Sequence, residues 1–215
     1  WIPESATTIY VYHWFRPALG IYGGGCIAWD AESHLPWDAP VFRYDVNRPI
    51  RAPLDLRNLS LDNGAEIVTL REGLDYRVAF KRPGVDIALQ FSALTPPDLT
   101  EQRGTEAFFA GHLDQPGRYT GSAEIEGRRH RIASFGIRDR SWGPRVIGDD
   151  VRLGYCHGES HEAAFLAFSQ PSAGEEKILK GYLSLDGERH PLESGKRRVE
   201  TAGGHLDRID IQIKD

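Results

Sequence analysis

Hydrophobic and polar positions alternate along most of this chain with a period of two, which is the pattern of β-strands that bury one face. In the segment VDIALQFSA, which spans Val85–Ala93, every second residue up to Phe91 is large and apolar, and the residues between are smaller or polar. This is typical of a half-solvated strand. No segment keeps a helical period for more than about two turns. The pattern therefore predicts an all-β protein.

The first alternating run, residues 7–16, reads TTIYVYHWFR and has bulky residues on both faces. One face carries Ile9, Val11, His13 and Phe15, and the other carries Tyr10, Tyr12 and Trp14. One face can meet the core while the other meets a ligand or a second layer. Aromatic side chains with a polar tip suit ligand cavities, because each offers apolar area and one hydrogen-bonding group. Tyr12, His13 and Trp14 are therefore candidate ligand-binding residues, with core filling as the alternative.

Turn signals separate the runs at short intervals. Gly and Asn adopt positive φ without strain, so each signal suits a tight hairpin. Tight hairpins join antiparallel neighbours, and closing such a sheet into a barrel removes its exposed edges. The signals are Asp62-Asn63-Gly64, Arg82-Pro83-Gly84, Glu126-Gly127, Asp186-Gly187 and Gly203-Gly204.

The alternation breaks between residues 95 and 112, where two prolines and a polar, charged run occur. With 215 residues the chain is long enough for two small β-domains. We divide it into an N-terminal lipocalin-like barrel at 1–98, whose start we expect to be missing, a connector at 99–112 and a C-terminal lipocalin-like barrel at 113–215. The predicted fold is all-β, with two lipocalin-like (calycin) antiparallel barrels packed together.

The charge of the chain narrows the possible partners. The formal net charge is -5 and the pI is about 5.9. Nucleic acids and anionic membranes bind concentrated Lys and Arg, and the basic cluster at 128–131 fits a solvated hairpin tip. We expect no nucleic-acid partner. No stretch approaches the roughly 18 apolar residues of a membrane span, so we expect a soluble protein. Cys26 and Cys156 are too few for a disulfide framework, which indicates free thiols and a cytoplasmic location.

The main candidate for chemistry is SFGIRDRSWGPR, residues 134–145. If a strand continues through it, Asp139 shares an apolar, inward face with the odd-numbered residues before it, while Arg138 and Arg140 point to the other face. A carboxyl group that is buried without a guanidinium beside it stays protonated more readily and can act as a general acid. The alternative is a structural latch, in which an arginine stacks on Trp142 and Asp139 pairs with a distant arginine.

Other side chains could complete a site around Asp139. Tyr155 and His157 lie on one side of the run LGYCH and could orient a substrate or water. Trp142 could form one side of the pocket. Arginines that could hold the loop or meet a polar end of the substrate are Arg138, Arg140 and Arg145.

The segment HGESH, residues 157–161, has the spacing of metal ligands if it forms one strand. A hairpin turn there would scatter its side chains, and we predict no metal site. No dinucleotide fingerprint, phosphate loop, Cys-x-x-Cys pair or Ser nucleophile elbow occurs. We therefore expect no cofactor.

The segment GIRDRSWGPR and the preceding hairpin GRYTGSAEIEGRRHRIASF resemble two-barrel proteins related to the carotenoid 1,2-hydratase (hydroxyneurosporene synthase) and AttH-like lipocalin families. Those families, and tocopherol cyclase more distantly, carry an Asp-x-x-Trp-Gly signature, here Asp139, Trp142 and Gly143. The runs ESATTIYVYHWFRPALGIYGGGCIAWD and VDIALQFSALTPPD look like the partner domain of the same group. The resemblance implies two calycin-type barrels and an apolar ligand such as an isoprenoid, sterol or aromatic lipid. It also implies that Asp139 protonates an alkene before water adds.

These patterns together predict a cofactor-independent acid-base enzyme that acts on a hydrophobic, unsaturated or aromatic small molecule, as a lyase of the hydratase type, an isomerase or a cyclase. Asp139 would donate the proton, and Tyr155 and His157 would orient substrate or water. The alternative is a non-catalytic lipocalin-like carrier of a hydrophobic ligand. A third possibility is a partner-binding module whose interior is filled by side chains.

Overall fold

The computed structural model of the protein describes residues 1–101, 110–143, 153–172, 175–203 and 205–214. Nearly all regular structure is β-strand, arranged in curled antiparallel half-barrel sheets. The predicted all-β fold with lipocalin-like barrels is confirmed. Two single-turn 3-10 helices, Pro3–Ser5 and Pro17–Leu19, are the helical elements of the described residues. Within these residues, no helix has the length and apolar composition that would let it cross a membrane.

The chain forms two compact units. Unit 1 contains Trp1–Ala93 and Arg118–Ser134, and unit 2 contains Leu94–Gly117 and Phe135–Asp215. The strands within unit 1 are β1 Thr8–Arg16, β2 Ile21–Trp29, β3 Val41–Pro49, β4 Asn58–Ser60, β5 Ala65–Arg71, β6 Asp75–Arg82 and β7 Val85–Ala93. The strands within unit 2 are β8 Asp98–Glu101, β11 Gly154–Glu159, β12 Ala163–Ser172, β13 Glu175–Leu185, β14 Glu188–Pro191, β15 Ser194–Ala202 and β16 His205–Lys214.

Two long strands, β9 Gly111–Ile125 and β10 Arg128–Trp142, pass through both units. Their hairpin end, residues 118–134, lies in unit 1, although the sequence-based division assigns it to the second barrel. The predicted connector at 99–112 includes most of β8 and the first two residues of β9. A period-two pattern does not mark where a long strand leaves one compact unit, because that boundary depends on which other strands it packs against.

Unit 1 has a continuous apolar core. Its β1–β2–β3 sheet and its β4–β7 meander, together with the hairpin end of β9 and β10, bury aliphatic and aromatic residues against one another. Tyr22, Cys26 and Ala28 supply the β2 side, and Ala123, Ile125 and Ile132 belong to the hairpin side. Both cysteines of the chain are free thiols, as predicted. Burying each medium-sized apolar side chain of such a core contributes roughly 1.5 to 3 kcal/mol.

Several predicted turns have the backbone that their sequence requires. Glu126 and Gly127 have φ of 48° and 79°, and Asp186 and Gly187 have φ of 50° and 85°. Two consecutive residues with positive φ define the type I′ turn, whose twist matches that of the flanking strands. The acid-Gly pairs therefore close two hairpins, β9–β10 and β13–β14.

His13 is a half-buried titratable side chain on the core face of β1. Its Nε2 accepts a hydrogen bond from Asn63 Nδ2 at 3.0 Å, and the same amide nitrogen donates to Gly24 O at 3.3 Å. Because the amide can only donate through this nitrogen, the neutral ring carries its proton on Nδ1. Burial lowers the pKa of His13 to about 4, against the opposing effects of Asn63 and the Asp45 carboxylate. A protonated Nε2 would face a donor instead of an acceptor.

We expect His13 to make the protein less stable in acid. Its folded pKa lies below the unfolded value of 6.5, so the unfolded state binds the proton first and stability falls as the pH drops from about 6.5 towards 4. The loss by pH 4 should be about 3 kcal/mol. Urea unfolding at several pH values would measure it. A His13→Gln variant keeps an acceptor for Asn63 without titrating and should lose less stability; an unchanged pH dependence would contradict the prediction.

Candidate functional site

The interior of unit 2 is far more polar than that of unit 1. Most of the buried polar or charged side chains of the described residues belong to it, and the set is Thr95, His112, Asp114, Gln115, Ser169 and Ser184. Burying a polar group without a partner costs about 1 to 3 kcal/mol, so such groups are retained where hydrogen bonds or function require them. We therefore expect the chemical site in unit 2.

Strand β9 brings the central pair inside. His112 and Asp114 are two residues apart, so their side chains share one face of the strand. Pro116 follows and has no N–H to donate to a neighbouring strand. Its carbonyl accepts the Leu94 N–H at 3.0 Å. Asp114 and Gln115 are consecutive and both buried, with 2% and 0% of their surfaces exposed. The alternation of buried and exposed side chains therefore stops here.

His112 is held between two groups. Its Nε2 lies 2.7 Å from Asp114 Oδ2, and its Nδ1 lies 3.0 Å from Ser141 Oγ. With Asp114 as a carboxylate, Nε2 donates its proton to Asp114 and the Nδ1 lone pair faces the Ser141 hydroxyl, a tautomer assigned from the hydrogen-bond network. A buried carboxylate thus fixes the ring and leaves its other nitrogen as the proton acceptor.

Tyr155 completes the support of Asp114. Its hydroxyl donates to Asp114 Oδ1 at 2.6 Å, so the two oxygens of this carboxylate have different partners. Burial, followed by the nearby Asp114 carboxylate, raises the pKa of Tyr155. The phenol therefore stays protonated across the neutral range and remains a donor. Tyr155 lies on β11, so Asp114 is held from a third strand of unit 2.

The Nδ1 side of His112 faces the more open part of the site. Asp139 Oδ1 lies 3.7 Å from this nitrogen, and the Asp139 side chain is 44% exposed. Trp142, which is 41% exposed, packs its ring over Gly111, where a Cβ atom would lie only 2.3 Å from the indole. Arg140 stands over the Trp142 ring, 5.8 Å from its centroid.

An aromatic wall lies beside the polar pair. The rings of His112 and Phe168 meet edge to face with centroids 5.8 Å apart, and Tyr155 meets Phe168 in the same way at 5.0 Å. Leu166 is buried on the same strand, β12, two residues before Phe168. The site thus places the buried histidine-aspartate pair beside an apolar surface that an uncharged molecule could contact.

The predicted burial of Asp139 is wrong, because 44% of its side chain is exposed. Strand β10 buries Ile132 and Ser134 and exposes Ala133, so its inward face in that stretch carries the even-numbered residues. In unit 2 both faces of β10 meet buried groups: Asp139 and Ser141 face His112, and the Arg138 guanidinium donates to the buried Gln115 Oε1 at 3.0 Å. Arg138 can be half-buried because the side-chain amide of Gln115 accepts its hydrogen bond, whereas the Asp139 carboxylate remains exposed to water.

The remaining predicted residues fall in different places. His157 bonds Glu159 Oε1 through Nδ1 at 2.7 Å and contacts the Tyr155 ring at 5.6 Å. Tyr12 and Trp14 lie in unit 1 on the outer face of β1, where Trp14 Nε1 donates to Tyr44 at 3.2 Å. The unit 2 site is built without these two residues or His13. Arg145 lies outside the described residues.

The segment HGESH is divided by a turn. His157 and Glu159 belong to β11, which ends at Glu159, whereas His161 follows in the turn before β12. Another group has ligand atoms within 4.8 Å of one another and could hold a metal ion, namely His112, Asp114 and Asp139. An ion bound to all three would have to replace the existing bond between His112 and Asp114.

A cavity of about 270 Å³ also lies in unit 2, but it is separate from this site. Its lining includes Thr95, Pro116 and Ser184 and contains none of His112, Asp114 or Asp139. Of the groups around His112, Asp139 is the one that is exposed, with 44% of its side chain accessible.

The sequence prediction missed His112, Asp114 and Ser141. The signal for the first two was the His-x-Asp spacing in AGHLDQPG, which places two polar side chains on one face of a strand. It was overlooked because the predicted connector ended at residue 112. Ser141 lies inside the Asp-x-x-Trp-Gly signature, between the two residues that were singled out.

Fold and site together define an all-β protein with a buried histidine-aspartate pair in its second compact unit. The chain belongs to the family described as Domain of unknown function (DUF7064), whose model matches residues 1–214. Neither the curated proteins nor the solved structures contain a match to it.

Proposed function

We propose that the protein is an acid-base enzyme that moves a proton on a hydrophobic small molecule, as a hydratase, isomerase, cyclase or lyase does. His112 is the proton-transfer group in this proposal and Asp114 is its positioning residue. The observation that carries the proposal is the buried imidazole, bound to Asp114 at 2.7 Å through one nitrogen and open to Ser141 and Asp139 through the other.

The geometry suits proton transfer in both directions. Nδ1 of the neutral ring takes a proton from a substrate or water, and the buried Asp114 carboxylate stabilises the resulting imidazolium. The protonated Nδ1 then returns the proton at a second position of the substrate. A positioned general acid-base of this kind contributes about 10²- to 10⁴-fold to a rate.

Asp139 takes a different role from the one that the sequence analysis gave it. Its carboxylate lies on the exposed side of His112, 3.7 Å from Nδ1. In the proposal it exchanges protons between the imidazole and solvent and adds to the stabilisation of the imidazolium. The resemblance of the Asp-x-x-Trp-Gly segment to the hydratases suggests the reaction class, and the contacts of His112 with Asp114 and Ser141 support it as the group that carries the proton.

The surroundings favour a hydrophobic substrate. Phe168 and Tyr155 offer aromatic surface beside His112, and two carboxylates, Asp114 and Asp139, disfavour an anionic substrate group near His112. Both cysteines are free thiols, which supports a reducing compartment such as the cytoplasm.

Two measurements test the proposal. Native mass spectrometry of the purified protein should detect a small apolar compound that travels with it. Returning that compound to the protein in D₂O should introduce deuterium into carbon-bound positions, or add D₂O across a double bond. We expect a His112→Gln variant to lose about 10²-fold or more of this rate, and a His34→Gln variant, in an exposed loop of unit 1, to keep it.

A compound that binds but gains no deuterium in the presence of wild-type protein would contradict the proposal and identify a carrier. Equal deuterium incorporation by wild type and His112→Gln, with both proteins folded by circular dichroism, would reject His112 as the proton-transfer group.

A further inference from the structure

Ser141 occupies the position of a nucleophile relative to His112 and Asp114. Its hydroxyl lies 3.0 Å from His112 Nδ1, and His112 Nε2 lies 2.7 Å from Asp114 Oδ2. A serine, a histidine and a buried carboxylate joined in this order form the relay that activates serine for covalent catalysis, and such relays are recognised by geometry and role. In the serine protease relay the serine faces Nε2 of the histidine and the carboxylate binds Nδ1. Here the two ring nitrogens have the opposite partners, and the proton still moves from the serine to the imidazole.

We propose that Ser141 is a nucleophile and that the protein transfers acyl groups from small, uncharged esters. This inference rests on the proposed function in one respect, the assignment of His112 as the base. It goes beyond that function, because a covalent acyl-enzyme is not needed for proton transfer on an alkene or a carbonyl compound.

The surroundings of Ser141 match that substrate class. Ser141 is half-buried and lies on β10 between the exposed Asp139 and Trp142, so a ligand reaches it from solvent. The Phe168 ring, which meets the His112 ring edge to face at 5.8 Å, gives an apolar surface beside the relay. The Asp139 carboxylate repels an anionic substrate and stabilises the imidazolium that forms when Ser141 loses its proton.

The reaction balances with the groups at the site and water. Ser141 Oγ bonds to the ester carbonyl carbon while its proton moves to His112 Nδ1. The tetrahedral intermediate collapses, the bond from the carbonyl carbon to the alkoxy oxygen breaks, and the alcohol leaves with the proton from Nδ1. Water then attacks the acyl-serine ester with His112 as base, which releases a carboxylic acid and restores Ser141.

A fluorophosphonate probe tests the inference on the whole protein. A bond between Ser141 Oγ and phosphorus should form with loss of fluoride, and peptide mapping should place the adduct on Ser141. Ser141→Ala should abolish labelling, and His112→Gln should slow it about 10²-fold or more. Ser60→Ala, an exposed serine of β4 in unit 1, is the matched control and should label as wild type does. Hydrolysis of p-nitrophenyl butyrate should follow the same order.

The wild-type result alone can overturn the inference, whatever the variants do to folding. No adduct, or an adduct on another residue, rejects Ser141 as a nucleophile. If deuterium still enters a bound compound in that case, the proposed acid-base function stands without it. An adduct on Ser141 that depends on His112, with no deuterium incorporation, supports the nucleophile and rejects the proton chemistry on carbon.

Discussion

Replacing Asp114 with Asn is expected to slow the reaction at His112 by about four orders of magnitude, the effect of the corresponding change in a serine-histidine-aspartate relay. The substitution keeps the shape of the side chain, but its amide nitrogen can donate to His112 Nε2. The ring would then carry its proton on Nδ1, the nitrogen that faces Ser141 at 3.0 Å. A ring nitrogen that already carries a proton cannot accept another one from Ser141 or a substrate.

The tautomer change gives a readout that needs no substrate. Nitrogen-15 chemical shifts of the His112 ring should report a protonated Nε2 in the wild type and a protonated Nδ1 in Asp114→Asn. Deuterium incorporation and fluorophosphonate labelling should fall together. Asp186→Asn, in the β13–β14 turn of the same unit where φ is 50°, is the matched control. Unchanged ring shifts in Asp114→Asn would show that Asp114 does not position the histidine.

Replacing Gly24 with Ala is expected to destabilise unit 1 by more than about 3 kcal/mol, the largest stability effect that we predict for a single methyl group. Gly24 has a φ of +126°, and a Cβ atom there would lie 2.1 Å from the carbonyl oxygen of Tyr12. Its own carbonyl also accepts the Asn63 amide. Strand β2 must therefore shift away from β1, which disturbs the contact that holds His13.

Gly73→Ala separates the cost of backbone conformation from that of overlap. Gly73 has a φ of +74°, and nothing lies within 4 Å of its added Cβ, so this variant should lose only about 1 kcal/mol. Denaturant unfolding of both variants beside the wild type measures the difference. Equal losses in the two variants would show that β1 and β2 can separate at little cost.

The architecture was accessible from the sequence because its signals are local. Period-two alternation identified Val85–Ala93 as a strand, and acid-Gly pairs such as Asp186-Gly187 identified hairpins. Each signal depends on a few neighbouring residues whose backbone preferences are known. The free state of Cys26 and Cys156 likewise followed from their number.

The site was less accessible because it depends on contacts between distant strands. Tyr155 was selected from its strand and does lie at the site, but its partner Asp114 is 41 residues away along the chain. Asp139 was predicted to be buried but is 44% exposed, because alternation separates the two faces of a strand without showing how deeply either face is covered. Pro116 added to the difficulty, since the strand around it buries consecutive residues.

The shared hairpin of β9 and β10 limits how the molecule can be dissected. Residues 118–134 lie between the two sequence segments of unit 2, and Leu94–Gly117 lie between the two segments of unit 1. A single proteolytic nick or stop codon anywhere in this region would leave each fragment without strands that its own interior requires. Truncated chains would therefore expose Ala123, Ile125 or their packing partners and aggregate, whereas circular permutants that keep both strands offer the route to studying either half.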